Sequence, residues 1–153
     1  MSGPRVRRSR RASGFSMLEM LIVLIVIGLL VKITVNKTSR IMRHERVNRA
    51  AQVMVQDLQN GFAMAGRQRA PVRLTFTPST KTYVFTDRAT GTTLQTRVMN
   101  AGTEFQLSSL SSSATTVDVL PNGIGSTAFS VTLTLGDYSR IVTASSAGFV
   151  RSN

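Results

Sequence analysis

Hydrophobic and polar positions fall into three successive patterns along the chain. From Met20 to Val31 there is no charge and only one glycine, Gly28; a helix apolar on every face suits lipid or a deep interior rather than water. Taken from Phe15 to Val35, the run is 21 residues long, and at about 1.5 Å per residue it reaches roughly 31 Å, close to the thickness of a hydrocarbon core. Lys32 sits near its far end, where a long side chain can reach headgroups, and Lys37, Arg40 and Arg43 follow outside. A buried core helix this apolar would need a larger surrounding domain than 153 residues supply. Beyond Val35, Val47, Ala51, Met54, Leu58, Phe62 and Ala65 recur every three or four positions, the stripe of an amphipathic helix with Met54 and Phe62 as core residues. No proline interrupts this region and Gly61 is solitary, so Phe15 to about Ala65 reads as one helix that stops at Gly66.

After Gly66 the period shortens to two. Val72, Leu74 and Phe76 alternate with Arg73, Thr75 and Thr77, and a turn at Pro78 to Lys81 leads into a second strand, Thr82 to Thr86. Asp87 to Gly91 turns again into Thr92 to Val98, completing a meander. A further strand is expected from Thr103 to Leu107, and the serine-rich stretch Ser108 to Ser113 reads as a mobile loop. Thr116 to Leu120, a Pro121-Asn122-Gly123 turn, Ala128 to Leu135, a Gly136-Asp137 turn and Arg140 to Ala144, expected to close the sheet, make up the last third.

Charge changes the picture at the N-terminus. The formal net charge is +12, but five of the 19 Lys and Arg (Arg5, Arg7, Arg8, Arg10 and Arg11) precede Phe15, leaving 14 against 7 acidic residues, or +7, in the remainder. Basic residues ahead of an apolar run stay on the cytoplasmic side of a membrane, which is the polarity of an insertion signal. The small residues Ala12, Ser13 and Gly14 lie before the apolar run rather than after it. Cleavage there would remove the charges and keep the anchor. Gly14 has no Cβ and can enter a protease cleft closely. Glu19 is a carboxylate inside the apolar run, penalised by about 2.5 to 3.5 kcal/mol on insertion scales unless it finds a partner or snorkels to the interface.

These features resemble the N-terminal signal of type IV prepilins and pseudopilins: a short basic leader, Gly last in it, Phe first in the mature chain and Glu fifth. The resemblance implies that the membrane aspartyl prepilin peptidase cuts between Gly14 and Phe15, that the Phe15 amine is methylated, and that Glu19 pairs with the Phe15 amine of a neighbouring subunit in a filament. The C-terminal order of strand, Pro-Asn-Gly turn, strand, turn and final strand ending in Ser145-Ser146-Ala147-Gly148-Phe149-Val150-Arg151 is similar to the GspH/FimT family of minor pseudopilins. What that implies is an α+β fold, pilin-like, with a long N-terminal transmembrane and amphipathic helix packed on a head of two antiparallel β-sheets. The segments are then a cleaved leader (1–14), a transmembrane half-helix (15–35), an amphipathic half-helix (36–66) and a β-rich head (67–153). Expected partners are prepilin peptidase, other pilin or pseudopilin subunits and the inner membrane, with the N-terminus cytoplasmic and the head periplasmic. Expected function is assembly or priming of a type II secretion pseudopilus or a type IV pilus.

Some members of that family bind DNA for natural transformation through a basic Gly-Arg-x-Arg segment near the C-terminus. Here Gly148-Phe149-Val150-Arg151 keeps only the final arginine, so one phosphate contact is missing. A DNA receptor using Arg67, Arg69, Arg73, Arg140 and Arg151 is the alternative reading. Phe149 would either stack on a base or be a buried aromatic at a strand end, the latter favoured. The ladder Arg40, Arg43, Arg46 and Arg49 reads as a solvated or membrane-adjacent face, partly neutralised by Glu45, with subunit or nucleic-acid contacts as competing accounts. There is no cysteine and one histidine, His44, so disulfides and thiolate chemistry are excluded and neither a metal cluster nor a nucleophilic triad is expected. No cofactor and no enzymatic activity are expected.

Overall fold

The computed structural model of the chain describes residues 16–153, which belong to two compact units, one ending at Thr38 and one running from Ser39 to Asn153. Helix α1 (Met17–Gln68) contributes to both. In the first unit Ser16 starts the helix. Its carbonyl accepts the amides of Glu19 at 3.0 Å and Met20 at 3.2 Å, and its hydroxyl accepts the amide of Leu18 at 3.3 Å, as expected of a short polar side chain at an N-cap. From Met17 to Val31 the large apolar side chains are exposed all round the helix. Among the described residues no helix is long and apolar enough to cross a membrane: the apolar run described from Met17 to Val31 covers about 22 Å at 1.5 Å per residue. The side chains of 33–37 and all of Phe15, which complete the expected span, lie outside the described residues.

The second unit is the head. Strands β1 (Val72–Thr77), β2 (Thr82–Asp87), β3 (Thr93–Val98) and β5 (Thr116–Val119) form one antiparallel sheet in the order β3-β2-β1-β5. Strands β4 (Ser109–Ser112), β6 (Phe129–Leu135), β7 (Tyr138–Ala144) and β8 (Val150–Ser152) form a second, ordered β4-β6-β7-β8. No strand of one sheet pairs with a strand of the other; side chains join them. Val72, Leu74 and Phe76 of β1, Tyr83 and Phe85 of β2, Val131 and Leu133 of β6 and Val142 of β7 point into one core with Val47, Ala50, Ala51, Met54 and Leu58 of α1. The rings of Phe76 and Phe129 meet at 5.6 Å between centroids and link the two sheets directly. Met54 is fully buried, while Phe62 is half-buried at the edge of the same cluster.

Several sequence expectations need correction. The helix passes through Gly66 and ends at Gln68, because Arg69 takes the left-handed conformation, φ 52°, that breaks the helical ladder. Thr103 to Leu107 is not a strand: Thr103 closes a turn onto the Asn100 carbonyl and Gln106 also has positive φ, 51°. Phe105 and Leu107 are nonetheless buried, which explains the alternation that suggested a strand. The serine-rich stretch contains β4, with Ser109 opposite Thr134 and Ser112 opposite Val131, anchored by the buried Leu110. One inward leucine among serines suffices at an edge. Finally, β7 does not close its sheet; β8 adds outside it, with Thr143 opposite Arg151.

The apparently incidental Gly61 lies where α1 comes closest to β2: a Cβ built on it would sit 2.3 Å from Cε1 of the buried Phe85 ring. Overpacking a core costs about 1–3 kcal/mol, against a helix-propensity gain of up to about 1 kcal/mol for replacing glycine. Gly61→Ala is therefore expected to lower the denaturant midpoint of the folded head, and Gly61→Ala with Phe85→Leu to recover part of the loss. A stabilised single variant would show that the helix and β2 are not in tight contact.

Candidate functional site

Glu19 lies in the first turn of α1, where a carboxylate faces the positive end of the helix dipole. It is exposed, and no side chain among the described residues is paired with it. Gly14 and Phe15, the expected cleavage and methylation positions, lie outside the described residues. What surrounds Glu19 is the exposed apolar surface of Met17, Leu18, Met20, Leu21 and the large apolar residues that follow them to Val31. Such a surface needs another apolar phase, lipid or protein.

The head places the five candidate DNA-contacting arginines on different surfaces. Arg73 lies opposite Asp118 across the β1–β5 ladder. Its Nε and Nη2 donate to the two carboxylate oxygens at 2.8 and 3.1 Å, and Arg88 adds a contact at 3.4 Å. The hydrogen bond and charge of Arg73 outweigh partial burial and hold the Asp118 carboxyl below the usual carboxylate range. Arg140 shares the inward face of β7 with Val142 and Ala144, and its Nε donates to Oδ1 of Asn48 on α1 at 2.7 Å. Arg151, opposite Thr143, lies on the outward face of the same sheet. Arg67 and Arg69 are exposed at the end of α1. Two of the five are already engaged within the head, and Arg140 and Arg151 face opposite ways, so they do not form one basic surface.

The arginine ladder divides in the same manner. Arg46 donates to Oε1 of Gln106, and Arg43 packs against Gly136 in the β6–β7 turn, its Cδ 3.4 Å from where a Cβ would stand. Of the four, Arg40 and Arg49 are exposed. Neighbouring His44 meets the Tyr138 ring edge-on at 5.2 Å. The face expected to be solvated is thus partly a docking face for the second sheet. Phe149, expected to be buried, is 78% exposed: it follows Gly148, whose φ of 82° turns the chain and swings the next side chain outward.

A buried polar cluster escaped the sequence reading. Asp57 is only 5% exposed and stands on the apolar face of α1. Arg97 of β3 donates from Nε and Nη2 at 2.8 and 3.1 Å, and the Tyr83 hydroxyl donates at 2.8 Å. Burial opposes ionisation of Asp57, but hydrogen bonds from Arg97, Tyr83 and Gln95 together with the Arg97 charge prevail and hold its carboxyl below its ordinary value. Tyr83 is pushed far upward by burial and by the adjacent carboxylate, so its phenol stays a donor. The available signal was a lone acid within the apolar stripe, one position before Leu58. Among the described residues no group of three or more His, Cys, Asp or Glu could hold a metal.

A long helix carrying an exposed apolar N-terminal half and, in its second half, packing on two antiparallel sheets defines a pilin-like subunit. Residues 50–148 match the family model described as Type II transport protein GspH, and residues 9–31 match the prokaryotic N-terminal methylation motif. The chain belongs to the GspH family, and is a minor pseudopilin or pilin of the type II secretion or type IV pilus kind. No curated protein matches it in sequence. Among solved structures it is similar to the minor pseudopilin EpsH from the type 2 secretion system of Vibrio cholerae, at 19% identity and a TM-score of 0.58, covering 71% of this chain and 96% of that one. It is similar also to the type IV minor pilin FimU of Pseudomonas aeruginosa PAO1, at 18% identity and a TM-score of 0.58, covering 71% and 89%.

The Asp57 cluster has a definite pH signature. Its folded-state pKa is depressed, so its contribution is present in full above the unfolded value, about 3.9, and is lost as pH falls through the lower folded value. Asp57→Asn is expected to cost about 2 kcal/mol at neutral pH and to flatten the loss of stability below about pH 4. Denaturant unfolding at neutral and acid pH measures both; equal losses for the two proteins in acid would remove Asp57 from the account.

Proposed function

We propose that the chain is a filament subunit that matures by loss of its leader, residues 1–14, through prepilin peptidase cleavage after Gly14. The new Phe15 amine is methylated, residues 15–35 stay in the inner membrane, residues 36–66 form the amphipathic half-helix, and the head from residue 67 lies in the periplasm. On assembly the subunit leaves the bilayer sideways, its apolar half-helix packs among those of other pilin or pseudopilin subunits, and Glu19 neutralises the Phe15 amine of a neighbour. The observation that carries this reading is the exposed apolar surface from Met17 to Val31 surrounding a carboxylate that nothing described in the chain pairs with. Burying that carboxylate in hydrocarbon is costly unless a cation meets it, and a filament brings one from the next subunit. The methylation-motif match over residues 9–31 supports the processing step. In a type II secretion pseudopilus or a type IV pilus such a subunit serves assembly or priming.

The DNA-receptor alternative draws no support from the arginines, which are divided between ion pairs, helix contacts and opposite sheet faces. The proposed maturation is tested by Gly14→Leu, expected to leave uncut precursor in the membrane on an immunoblot, and by Glu19→Ala, expected to be cut normally yet be missing from sheared filaments or pseudopili. Normal processing of the first variant, or wild-type incorporation of the second, contradicts it.

A further inference from the structure

At one end of the second sheet lies a cleft of about 700 Å³, lined by the outward-facing Ser130, Thr143 and Arg151 together with Phe129, Ala144 and Val150 of the opposite parity, within the range of about 300 to 1,000 Å³ typical of ligand-binding clefts. Every strand of that sheet, or the residue flanking it, reaches the cleft. Ser130 and Thr143 are register partners on its floor, with Arg151 opposite Thr143 on the next strand. The hydroxyls of Ser130 and Thr143 have no partner among the described residues. Phe149, two residues before Arg151 and on the same face, forms a wall and is the most exposed large apolar residue among the described residues of the head.

Its exposure is built into the backbone rather than left to a loose tail. The Phe149 amide donates to Oγ of Ser145 at 3.1 Å, the Ser145 amide donates to the Phe149 carbonyl at 2.9 Å, and the Gly148 amide donates to the Ser145 carbonyl at 3.1 Å. These three bonds close the turn between β7 and β8 and, in doing so, fix the Phe149 ring outward in solvent. Arg151 is the one charged side chain lining the cleft, and it has no acidic partner among the described residues. A surface with one aromatic, one cation and neutral hydroxyls calls for a ligand with one apolar group and one anion.

We propose that this cleft binds an extended polypeptide segment carrying an apolar side chain that covers Phe149 and, two residues further on, a carboxylate that pairs with Arg151. The spacing fits because residues i and i+2 of an extended chain lie on one face about 7 Å apart, and Phe149, whose carbonyl accepts the Ser145 amide just ahead of β8, stands two residues before Arg151 within it. A nucleic acid fits worse, since strand binding draws on several phosphate contacts along a basic groove, whereas Arg140 lies on the opposite face against Asn48. In the filament reading, on which the source of the segment rests, a neighbouring subunit supplies it.

The test uses the full chain, isotope-labelled, in detergent micelles. A capped heptapeptide with leucine and aspartate two positions apart is titrated against the same peptide carrying asparagine and against oligothymidylate of equal length. Saturable amide shifts are expected around residues 128–130, 143–145 and 149–151. Arg151→Gln, and asparagine in the peptide, should each weaken binding roughly tenfold, and Phe149→Ser should abolish it while the remaining amide spectrum is unchanged. No shifts at millimolar peptide, shifts indifferent to Phe149→Ser, or tighter binding of oligothymidylate at the same residues would each overturn the proposal. Binding is read without assembly, so a failed titration alongside Glu19-dependent filament incorporation rejects the cleft alone. Normal incorporation of Glu19→Ala rejects the filament mechanism and leaves the titration standing.

Discussion

Two sheets that share no ladder must be held together by side chains, and one stripe of α1 packs against both. Val47, Ala50, Ala51, Met54 and Leu58 enter a core to which both sheets contribute, so the hydrophobic effect acting on a single helical face unites elements that backbone hydrogen bonds leave separate. Gly61 lets the helix approach Phe85 of the first sheet, and Asn48 and His44 meet Arg140 and Tyr138 of the second. The helix is therefore the framework of the head as well as the carrier of the apolar N-terminal segment.

Polar contacts add direction to that packing. Asp57 is placed where an aliphatic residue would have sufficed for burial, and it ties α1 to β2 through Tyr83 and to the edge strand β3 through Arg97. Burial makes this a demanding arrangement, tolerable because the carboxylate oxygens receive three hydrogen bonds from these two side chains, two of them from a cation. β3 turns Gln95 and Arg97 inward opposite Phe85 and Tyr83 of its one neighbour, β2; without Asp57 it would present a charge to the core. The Arg73–Asp118 pair plays a milder part on the outer face of the same sheet, where water screens it.

Membership of the GspH family joins these two levels. The head is a compact body whose fold corresponds to those of the V. cholerae EpsH and P. aeruginosa FimU structures, while the half-helix ahead of it exposes its large apolar side chains from Met17 to Val31. Exposed apolar side chains on a segment joined to a well-packed head suit contact with another apolar phase, lipid or protein. Phe149, outside the core and held by Ser145, belongs to the same economy of surfaces.

By itself the sequence determined whatever depends on local period and on residues with a cost attached. The apolar run, the amphipathic stripe from Val47 to Ala65, the alternation of β1, β2 and β6, the Pro121-Asn122-Gly123 turn and the exceptional position of Glu19 were all legible, because hydrophobic spacing and a carboxylate in an apolar stretch carry their meaning at short range. Only tertiary structure decided the rest. Ser109–Ser112 became a strand because β6 offered it a ladder, Arg73 and Arg140 were engaged by Asp118 and Asn48, Arg69 took a conformation usually left to glycine, and Phe149 was turned outward. Each of these outcomes depends on a partner distant in sequence, or on a turn whose direction is set by the packing around it, and neither is written in the spacing of neighbouring residues.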